Sequence, residues 1–366
     1  MLSLCIPSAD PAGLVYSRRS KAPRGARVDM TEETTGKIDP TLFEAEIAPR
    51  LGADREDVAV GPAPGVDFGV LAAGDSAVVL ATDPISVLPT LGFERAGRFA
   101  TRIVLADVAV SGLAPTHLTI SFALPPEMTD EEFARVWTGV HETCREHGVA
   151  VATGHTARYE GCQFPWVGAA TALAIGDPDR IRRPDAARPG DDLLVTMGPA
   201  VEAVGLLTTL FPDRIDLPAE QLETAQDQLA ETGVVRDARA AAEAGARAIH
   251  DATEGGLLGA CHEMAAGAGV EFTIDTDRVP VRPGVAAACE ALGMDPWTAT
   301  SAGTLVIASP PDATAAVLDA LEARDTPVAV VGAVTEGRGV RLDGEPTAPP
   351  EQDASWSVYE RLVGRE

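Results

Sequence analysis

The sequence predicts an α+β protein built from two sandwiched domains, and three observations support this expectation. Strand-like and helix-like segments alternate in both halves of the chain. A linker rich in Pro, Asp and Arg, DPDRIRRPDAARPGD, separates the halves near Asp177–Gly190. The 366 residues are enough to bury two cores. We therefore expect one domain over residues 36–178 and a second over residues 188–343.

The first half reads as strand, helix, strand, helix, strand, strand. Apolar runs between turn residues predict strands in SAVVLATDPIS, THLTISFALP, VAVATGHT and PWVGAATALAIG. FERAGRFATRIVLADVAVSG predicts a helix. MTDEEFARVWTGVHETCREHG predicts an amphipathic helix, because apolar residues recur from Phe133 at i, i+3, i+4 and i+7. Thr129 and Glu132 have the spacing of a capping box at its start.

The second half opens with the predicted strand DLLVTMG and continues through two helices. Another helix follows HDATEGG, and VEFTID reads as a strand. The segments TLVIAS, PDATAAVLDALEA and VAVVGAV predict a closing βαβ-type unit. From about Arg341 the chain becomes rich in Pro and Asp, so we expect a tail over residues 344–366.

The first residues differ from the rest of the chain. MLSLCIPSADPAGLVYSRRSKAPRGARVD carries five basic and two acidic residues, is interrupted by Pro and Gly, and shows no periodicity. We expect residues 1–35 to be a disordered tail, or a start codon assigned too early, with Met30 as the true start.

The chain is strongly acidic and almost free of lysine. Its formal net charge is −26, and Lys21 and Lys37 are its only lysines. An acidic, lysine-poor surface keeps a protein hydrated when salt screens its self-repulsion, which indicates a salt-accumulating host such as a halophilic archaeon. The same charge argues against nucleic acid as a partner.

Other classes of protein are disfavoured by what the sequence does not contain. No apolar run is long enough to span a membrane, so we expect no membrane partner and a cytoplasmic protein. The five cysteines are scattered without a CxxC pair, which disfavours a zinc site or a disulfide framework. GxxxxGK[ST] and a strand-borne GxGxxG are also absent, so neither common nucleotide loop is present.

Three acids of the first half stand at the ends of apolar segments. Asp67 lies in GVDFGVL, Asp83 in LATDPI and Asp107 in LADVAVSG. A buried carboxylate needs a partner, and magnesium is an economical shared one because it binds carboxylates together with phosphate oxygens. The alternative is that each acid caps a turn or a helix. His155, in TGHT, either orients a phosphate or forms an ordinary hydrogen bond in a turn.

The segment HDATEGGLLGACHEMA contains two glycines where a helix is expected to begin. Asp251 and Glu254 have capping-box spacing, which gives a purely structural account of this helix start. However, Gly255 and Gly256 each weaken a first turn by up to about 1 kcal/mol relative to Ala. Bare N–H groups at a helix N-terminus attract phosphate, and this offers a functional reason for the glycines. Glu263, farther along the helix, is a candidate general base.

Taken together these motifs resemble a known superfamily. GVDFGV, TDPI, ADVAVSG, TGHT, RPGDDLLVT and HDATEGGLLGACHEMA, in this order, are similar to the aminoimidazole ribonucleotide synthase (PurM-like) superfamily. Its relatives include the hydrogenase maturation factor HypE, selenophosphate synthetase and thiamine-monophosphate kinase. The resemblance covers roughly residues 36–342 and is strongest to archaeal HypE-like members.

The resemblance implies a two-domain α+β fold. It also implies a homodimer in which the N-terminal domains join their strands into a β-barrel with helices outside, and a C-terminal α/β sandwich. ATP and magnesium would bind near the dimer interface. Asp67, Asp83 and Asp107 would be ligands of magnesium and phosphate, and His155 and Thr156 would line the ATP site.

From the second domain, the resemblance implies that Asp251, Thr253, Gly255 and Gly256 cover the phosphates. The shared chemistry is nucleophilic attack on the γ-phosphorus of ATP, for which positioning and charge neutralisation supply most of the catalysis. In the branch that acts on amides, the phosphorylated oxygen then leaves as phosphate. Glu263 and His155 are the candidate catalytic residues.

Several positions depart from the pattern. Relatives often carry a second acid at Val66, Asn at Ala106, Gly at Thr153 and an acid at Ala302. HypE proper also ends in a cysteine that carries the carbamoyl group, whereas the last cysteine here is Cys289. These departures argue against a HypE that carries cyanide on its own terminus.

Three functions remain open. The first is an ATP-dependent enzyme that phosphorylates an oxygen of a small substrate of the amide or carboxamide type. The second is a small-molecule kinase resembling thiamine-monophosphate kinase. The third is a nucleotide-binding regulatory protein without turnover, which Ala106 and Ala302 favour.

Overall fold

The structure, a computed structural model, describes residues 40–63 and 65–364. These residues belong to one compact unit, Gly36–Glu366. The expectations for residues 1–35 and for Met30 lie outside the described residues. Among the described helices, none has the length and apolarity that crossing a bilayer requires.

The first half forms a six-stranded sheet with two long helices against one face. A short helical segment, α1 (Pro40–Leu42), precedes it. The helices are α2 (Phe93–Ala109) and α3 (Asp130–His147). The strands, in chain order, are β1 (Val58–Val60), β2 (Gly69–Ala73), β3 (Ser76–Ser86), β4 (His117–Leu124), β5 (Ala150–Arg158) and β6 (Trp166–Gly176).

All four strands and both helices predicted for this half are confirmed, and β1 and β2 are additional. The capping box of α3 is also confirmed, because Thr129 Oγ1 accepts the N–H of Glu132 while the Glu132 carboxylate accepts the N–H of Thr129. Residues of β3 alternate between buried and partly exposed, as expected of a strand that covers a core with one face.

No closed barrel forms among the described residues. The strand order is β1-β2-β3-β6-β4-β5, an open sheet with β1 and β5 at its edges. Along β5 every residue except Ala157 is exposed, and the strand pairs only with β4. The barrel expected from the resemblance would need strands from a second copy, since a six-stranded sheet with two free edges is not closed.

The second half forms a seven-stranded sheet of order β13-β12-β9-β11-β7-β10-β8. Its strands are β7 (Asp192–Thr196), β8 (Ala248–Asp251), β9 (Glu271–Ile274), β10 (Leu305–Ser309), β11 (Val328–Thr335), β12 (Gly339–Leu342) and β13 (Glu345–Thr347). Its helices are α4 (Val201–Leu210), α5 (Ala219–Gln226), α6 (Val235–Glu243), α7 (Gly256–Ala268), α8 (Val285–Leu292), α9 (Thr314–Glu322) and α10 (Ala354–Val363).

The predicted βαβ unit is present as β10, α9 and β11. Both strands run antiparallel to β7, which lies between them, so they are parallel to each other. The mixed content of both halves confirms the predicted α+β class.

Helix α2 joins the two halves. It contacts α3 and β3 on the side of the first sheet, and α6 and β8 on the side of the second. One continuous apolar cluster contains Val104 and Leu105 of α2, Val79 of the first sheet and Ile249 of the second. The end of α2 is therefore held between the two sheets, and Asp107 lies near that end.

The expected tail over residues 344–366 is folded in the part that the structure describes, residues 344–364. They contain β13 and α10, and Val358 and Leu362 of α10 are buried in an apolar cluster with residues of α4 and α8. Asp353 caps α10, because its carboxylate accepts the N–H of Ser355 at 2.8 Å. The stretch of Pro and Asp that suggested a tail is the linker before this helix.

Candidate active site

Four buried or partly buried acids from both halves converge at one point. Asp67 precedes β2, Asp83 lies on β3, Asp107 lies on α2, and Asp251 ends β8. The carboxyl of Asp107 interacts electrostatically with the other three, most strongly with Asp83. Burial, with repulsion from these neighbours added to it, raises the pKa of Asp107 well above its ordinary value. The structure thus brings together the three acids predicted from the first half.

Asp251 joins this cluster from the second half. It is 2% exposed, and burial followed by repulsion from Asp67 raises the pKa of its carboxyl to about 7. A cluster of acids that resists full ionisation is expected where a cation is to be bound, because the cation would remove the repulsion.

His250 stands beside the acids and was missed in the sequence. Its Nδ1 lies 2.8 Å from Oδ2 of Asp67, an ion-pair separation across the two halves of the chain. Its Nε2 lies 3.2 Å from Oε2 of Glu263 on α7. Burial lowers the pKa of the imidazole, but the two carboxylates outweigh burial and hold that pKa well above its ordinary value.

The residues fit a divalent cation of the kind that the resemblance implies. Oδ2 of Asp251 is buried and has no hydrogen-bond partner among residues 40–63 and 65–364. Oδ2 of Asp67 is buried as well, and its contact with His250 does not have the direction of a hydrogen bond. Such oxygens are costly to bury without a partner, and a hard cation such as magnesium would supply one.

The start of α7 explains the two glycines by backbone geometry. Gly255 and Gly256 have φ of 84° and 64°, a left-handed conformation that residues with a Cβ rarely adopt. A Cβ on Gly256 would lie 2.6 Å from the carbonyl oxygen of Ala299 and 2.7 Å from that of Trp297. The predicted capping box is not formed, because the N-cap is Gly255 and no side chain of this segment caps it.

The N–H groups at this helix start are largely satisfied within the protein. The N–H of Gly255 donates to Oδ2 of Asp353 at 2.8 Å, and that of Gly256 donates to the carbonyl of Thr253 at 2.9 Å. The N–H of Leu258 donates to the carbonyl of Trp297. The predicted contact of Thr253, Gly255 and Gly256 with phosphate therefore needs a rearrangement, and it stays a prediction.

We expect Gly256→Ala to lower the free energy of unfolding by about 3 kcal/mol, because it adds strain in the left-handed region to a clash with backbone. Gly255→Ala is the matched control. It has a similar φ but more room, since its Cβ would meet nothing closer than 3.6 Å, and we expect a loss of about 1 kcal/mol. Denaturant unfolding at constant salt measures both. Equal losses would contradict the role of the Trp297 and Ala299 carbonyls.

His155 and Thr156 do not join the acid cluster within this chain. Asp83 of β3 pairs with Ala170 of β6, which pairs with Ile120 of β4, and Ile120 pairs with Gly154 of β5. Asp83 and Gly154 therefore lie on the same face of the sheet. His155 is the next residue, so it points to the opposite face, where its Nε2 lies 2.9 Å from the hydroxyl of Tyr159. Thr156 lies on the exposed edge strand, about 14 Å from β3 at ordinary strand spacing. Their role in an ATP site stays a prediction.

A second carboxyl with a raised pKa lies near the start of α7. Glu202 of α4 accepts the hydroxyl of Thr300 at 2.5 Å and the N–H of Ala302 at 3.1 Å. Burial raises the pKa of Glu202 to about 7 against these hydrogen bonds, and repulsion from Asp353 and Glu254 adds to the shift. A carboxylate is therefore present beside Ala302, a position at which relatives often carry an acid.

The raised pKa of Glu202 predicts a dependence of stability on pH. The pKa of Glu202 is higher in the folded state than in the unfolded chain. Its contribution to the free energy of unfolding is therefore complete below the unfolded pKa and is lost as pH rises through 7. We expect Glu202→Gln to exceed wild type by about 2 kcal/mol in free energy of unfolding at pH 8, with little difference at pH 5. Glu220→Gln, on the exposed surface of α5, should show no such change. A difference that is independent of pH would refute the shift.

Comparison with known proteins agrees with this architecture. Residues 65–174 match the N-terminal domain of AIR synthase related proteins, and residues 188–345 match their C-terminal domain. Carbamoyl dehydratase HypE of Rhizobium leguminosarum bv. viciae is 31% identical over 312 residues, which cover 84% of this chain and 85% of that protein. A putative hydrogenase expression/formation protein of Methanocaldococcus jannaschii is 25% identical over 279 residues, 75% and 80% of the two chains.

Solved structures show the same fold. HypE of Escherichia coli, a hydrogenase maturation protein, superposes with a TM-score of 0.65 at 28% identity, over 76% of this chain and 87% of that one. A ThiL structure complexed with AMPPCP and TMP has a TM-score of 0.65 at 21% identity, over 79% and 90% of the two chains, and supports the fold alone. The chain thus belongs to the family of AIR synthase related proteins and has their PurM-like two-domain fold.

Proposed function

We propose that the protein is an ATP-dependent enzyme that phosphorylates an oxygen of a small substrate of the amide or carboxamide type. The observation that carries this proposal is the convergence of Asp67, Asp83, Asp107 and Asp251 from the two halves of the chain. Acids held together at the cost of mutual repulsion are suited to bind magnesium and, through it, the phosphates of ATP. The similarity to carbamoyl dehydratase HypE supports the same type of reaction.

In this proposal the four carboxylates hold magnesium, and the metal neutralises charge on the phosphate oxygens when it is bound. Glu263 is the candidate general base. Its side chain is 35% exposed, so it can reach a substrate, while its contact with His250 fixes its position. His250 in turn links Glu263 to Asp67, and so connects the base to the acid cluster.

Three buried cysteines, Cys144, Cys261 and Cys289, are unsuited to act as a carrier thiol. Burial raises the pKa of Cys144 to about 11 and the pKa values of Cys261 and Cys289 to about 12. Thiols of this kind are poor nucleophiles at neutral pH, because the thiolate is the reactive form. We therefore propose that the acceptor is a separate small molecule and not one of these side chains.

We also propose that the enzyme is a homodimer that uses β5. This strand leaves an edge of the sheet open, and an exposed edge readily pairs with another strand. Val151, Tyr159, Trp166 and Ile175 are exposed apolar residues on β5, on β6 or next to them. Joining two sheets here would cover these side chains, and could bring His155 to the acid cluster of the second copy.

Phosphate release from ATP by the purified protein in high salt tests the function. We expect turnover that requires magnesium and is stimulated by a carbamoyl compound. Stoichiometric phosphorylation of an alcohol or of a phosphate ester would show a small-molecule kinase instead. Thermal stabilisation by ATP without turnover in a panel of amides and phosphate esters would show a binding protein.

A further inference from the structure

A polar cavity of about 210 Å³ lies where α2, α3 and α6 meet, and no residue of the acid cluster lines it. Three arginines line it from different parts of the chain: Arg102 of α2, Arg236 of α6 and Arg324 after α9. Such a concentration of arginine is unexpected on a chain with a net charge of −26. Pockets for drug-sized ligands hold about 300–1,000 Å³, so this cavity suits a smaller molecule.

Arg102 differs from the other two arginines in its partners. Its Nη1 donates to the carbonyl of Ala230 at 2.8 Å, and it forms no ion pair with a carboxylate in the part of the chain that the structure describes. Arg236 and Arg324 each pair with a carboxylate at 2.8 Å. A guanidinium carries five N–H donors in a planar fork, so Arg102 can offer further donors to a molecule in the cavity.

The surroundings of Arg102 are unfavourable for its positive charge. Burial lowers the pKa of Arg102, and repulsion from Arg98 and Arg236 adds to the shift. Glu146 and Glu231 attract the charge and oppose part of it. An anion in the cavity would offset both the repulsion between the arginines and the hydration that Arg102 loses on burial.

Helix α6 begins at the same cavity. Its N-cap, Val234, has no side chain that accepts an N–H of the first turn, and residues 235–237 of that turn line the cavity. The first N–H groups of a helix have no acceptor within the helix and attract anions. Gly233 keeps the guanidinium close to them, since a Cβ there would lie 3.6 Å from Cδ of Arg102.

Acidic side chains also line the cavity, so an anion must bind strongly enough to overcome their repulsion. Glu146 and Asp237 are already neutralised, because each is paired with an arginine of the cavity. Glu231 and Asp325 are exposed, so water screens their charges. A phosphate group is favoured over a singly charged ion, since its oxygens can accept paired hydrogen bonds from one guanidinium.

We propose that Arg102 and Arg236, together with the start of α6, bind phosphate in this cavity, either as inorganic phosphate or as the phosphate group of a small monoester. The guanidinium of Arg102 supplies paired donors, and the first turn of α6 supplies backbone donors. The site shares no residue with the acid cluster and needs neither magnesium nor ATP, so it does not rest on the proposed function.

The competing explanation is that Arg102 is purely structural. Its hydrogen bond to Ala230 would then serve only to hold the segment before α6 against α2. In that case water would satisfy the other donors of the guanidinium, and the cavity would have no affinity for phosphate. The two explanations therefore differ in whether the wild-type protein binds phosphate without magnesium.

Equilibrium dialysis of the full-length protein measures this directly, with ³²P-phosphate in one series and ¹⁴C-glycerol phosphate in another. Nucleotide is omitted, EDTA removes divalent cations, and sodium chloride keeps the ionic strength constant. We expect saturable binding of one ligand per chain, and the series with the lower dissociation constant identifies inorganic phosphate or a monoester as the better ligand. Absence of saturable binding in both series would overturn the proposal.

Variants then locate the bound phosphate. Arg102→Gln should raise the dissociation constant at least about tenfold, and Arg102→Lys should have a smaller effect because it keeps the charge but not the paired donors. Arg95→Gln is the matched control, since Arg95 is exposed on the same helix and does not line the cavity. Unchanged binding in Arg102→Gln would contradict the assignment. Asp83→Asn should still bind phosphate, so this inference and the proposed function can fail separately.

Discussion

Asp83→Asn is expected to abolish magnesium-dependent binding of ATP, with a dissociation constant at least about 100-fold higher than that of wild type, or about 2.7 kcal/mol. Asp83 interacts with Asp107 within the acid cluster, and Asn keeps its volume while removing the charge that attracts magnesium. Isothermal titration with MgATP in high salt measures the change.

The matched control is Asp75→Asn, in the exposed turn between β2 and β3, which should bind MgATP as wild type does. In the absence of nucleotide, Asp83→Asn should not lower the melting temperature, since it removes one repelling charge from the cluster. This second measurement separates loss of a ligand from loss of the fold. Unchanged affinity in Asp83→Asn would remove this residue from the nucleotide site.

The fold could be predicted from the sequence because its signals are local. The amphipathic pattern and capping box of α3 involve residues at most seven positions apart, and the alternation in β3 repeats every two residues. The open sheet could not be predicted in this way. Whether six strands close depends on their edges, and a barrel made from two copies leaves no mark within the pattern of one strand.

The candidate site was predicted only in part. Asp67, Asp83 and Asp107 were predicted because each is an acid at the end of an apolar run. The structure brings the three together. His250 was missed because it occupies an apolar-looking position of β8, and its importance comes from Asp67, 183 residues earlier in the chain. His250 and Asp251 are consecutive residues of β8. The alternation of side chains along a strand does not show which residues from the rest of the chain will contact them.

The glycines of α7 show how one motif can support two explanations. Phosphate binding and backbone geometry both require Gly255 and Gly256, so the sequence alone favours neither. The structure supplies the geometric reason and also a carboxylate, Asp353, at the N–H of Gly255. Asp353 comes from the segment that composition suggested was a tail, 98 residues away. The composition of a segment indicates only how exposed its residues are on average. It could not show that Asp353, a buried acid of that segment, contacts the start of α7.

Glu263→Gln is expected to lower kcat for ATP turnover by about 10²–10⁴-fold, the usual contribution of a general base, and to change the dissociation constant of MgATP by less than about threefold. The separation follows from position. Glu263 lies on the far side of His250 from Asp67, so it can take a proton from a substrate without itself binding the phosphates. Steady-state kinetics and nucleotide titration of the same variant measure the two effects.

Glu290→Gln, on the exposed surface of α8, is the matched control and should leave both quantities unchanged. If Glu263→Gln raised the dissociation constant of MgATP as much as it lowered kcat, Glu263 would act by holding His250 against Asp67 and not as a base. The distinction matters because the carboxylate of Glu263 also contacts His250, with Oε2 of Glu263 3.2 Å from Nε2 of His250. A general base exchanges a proton with its substrate. The side chain of Glu263 is 35% exposed, so a substrate can reach its carboxylate.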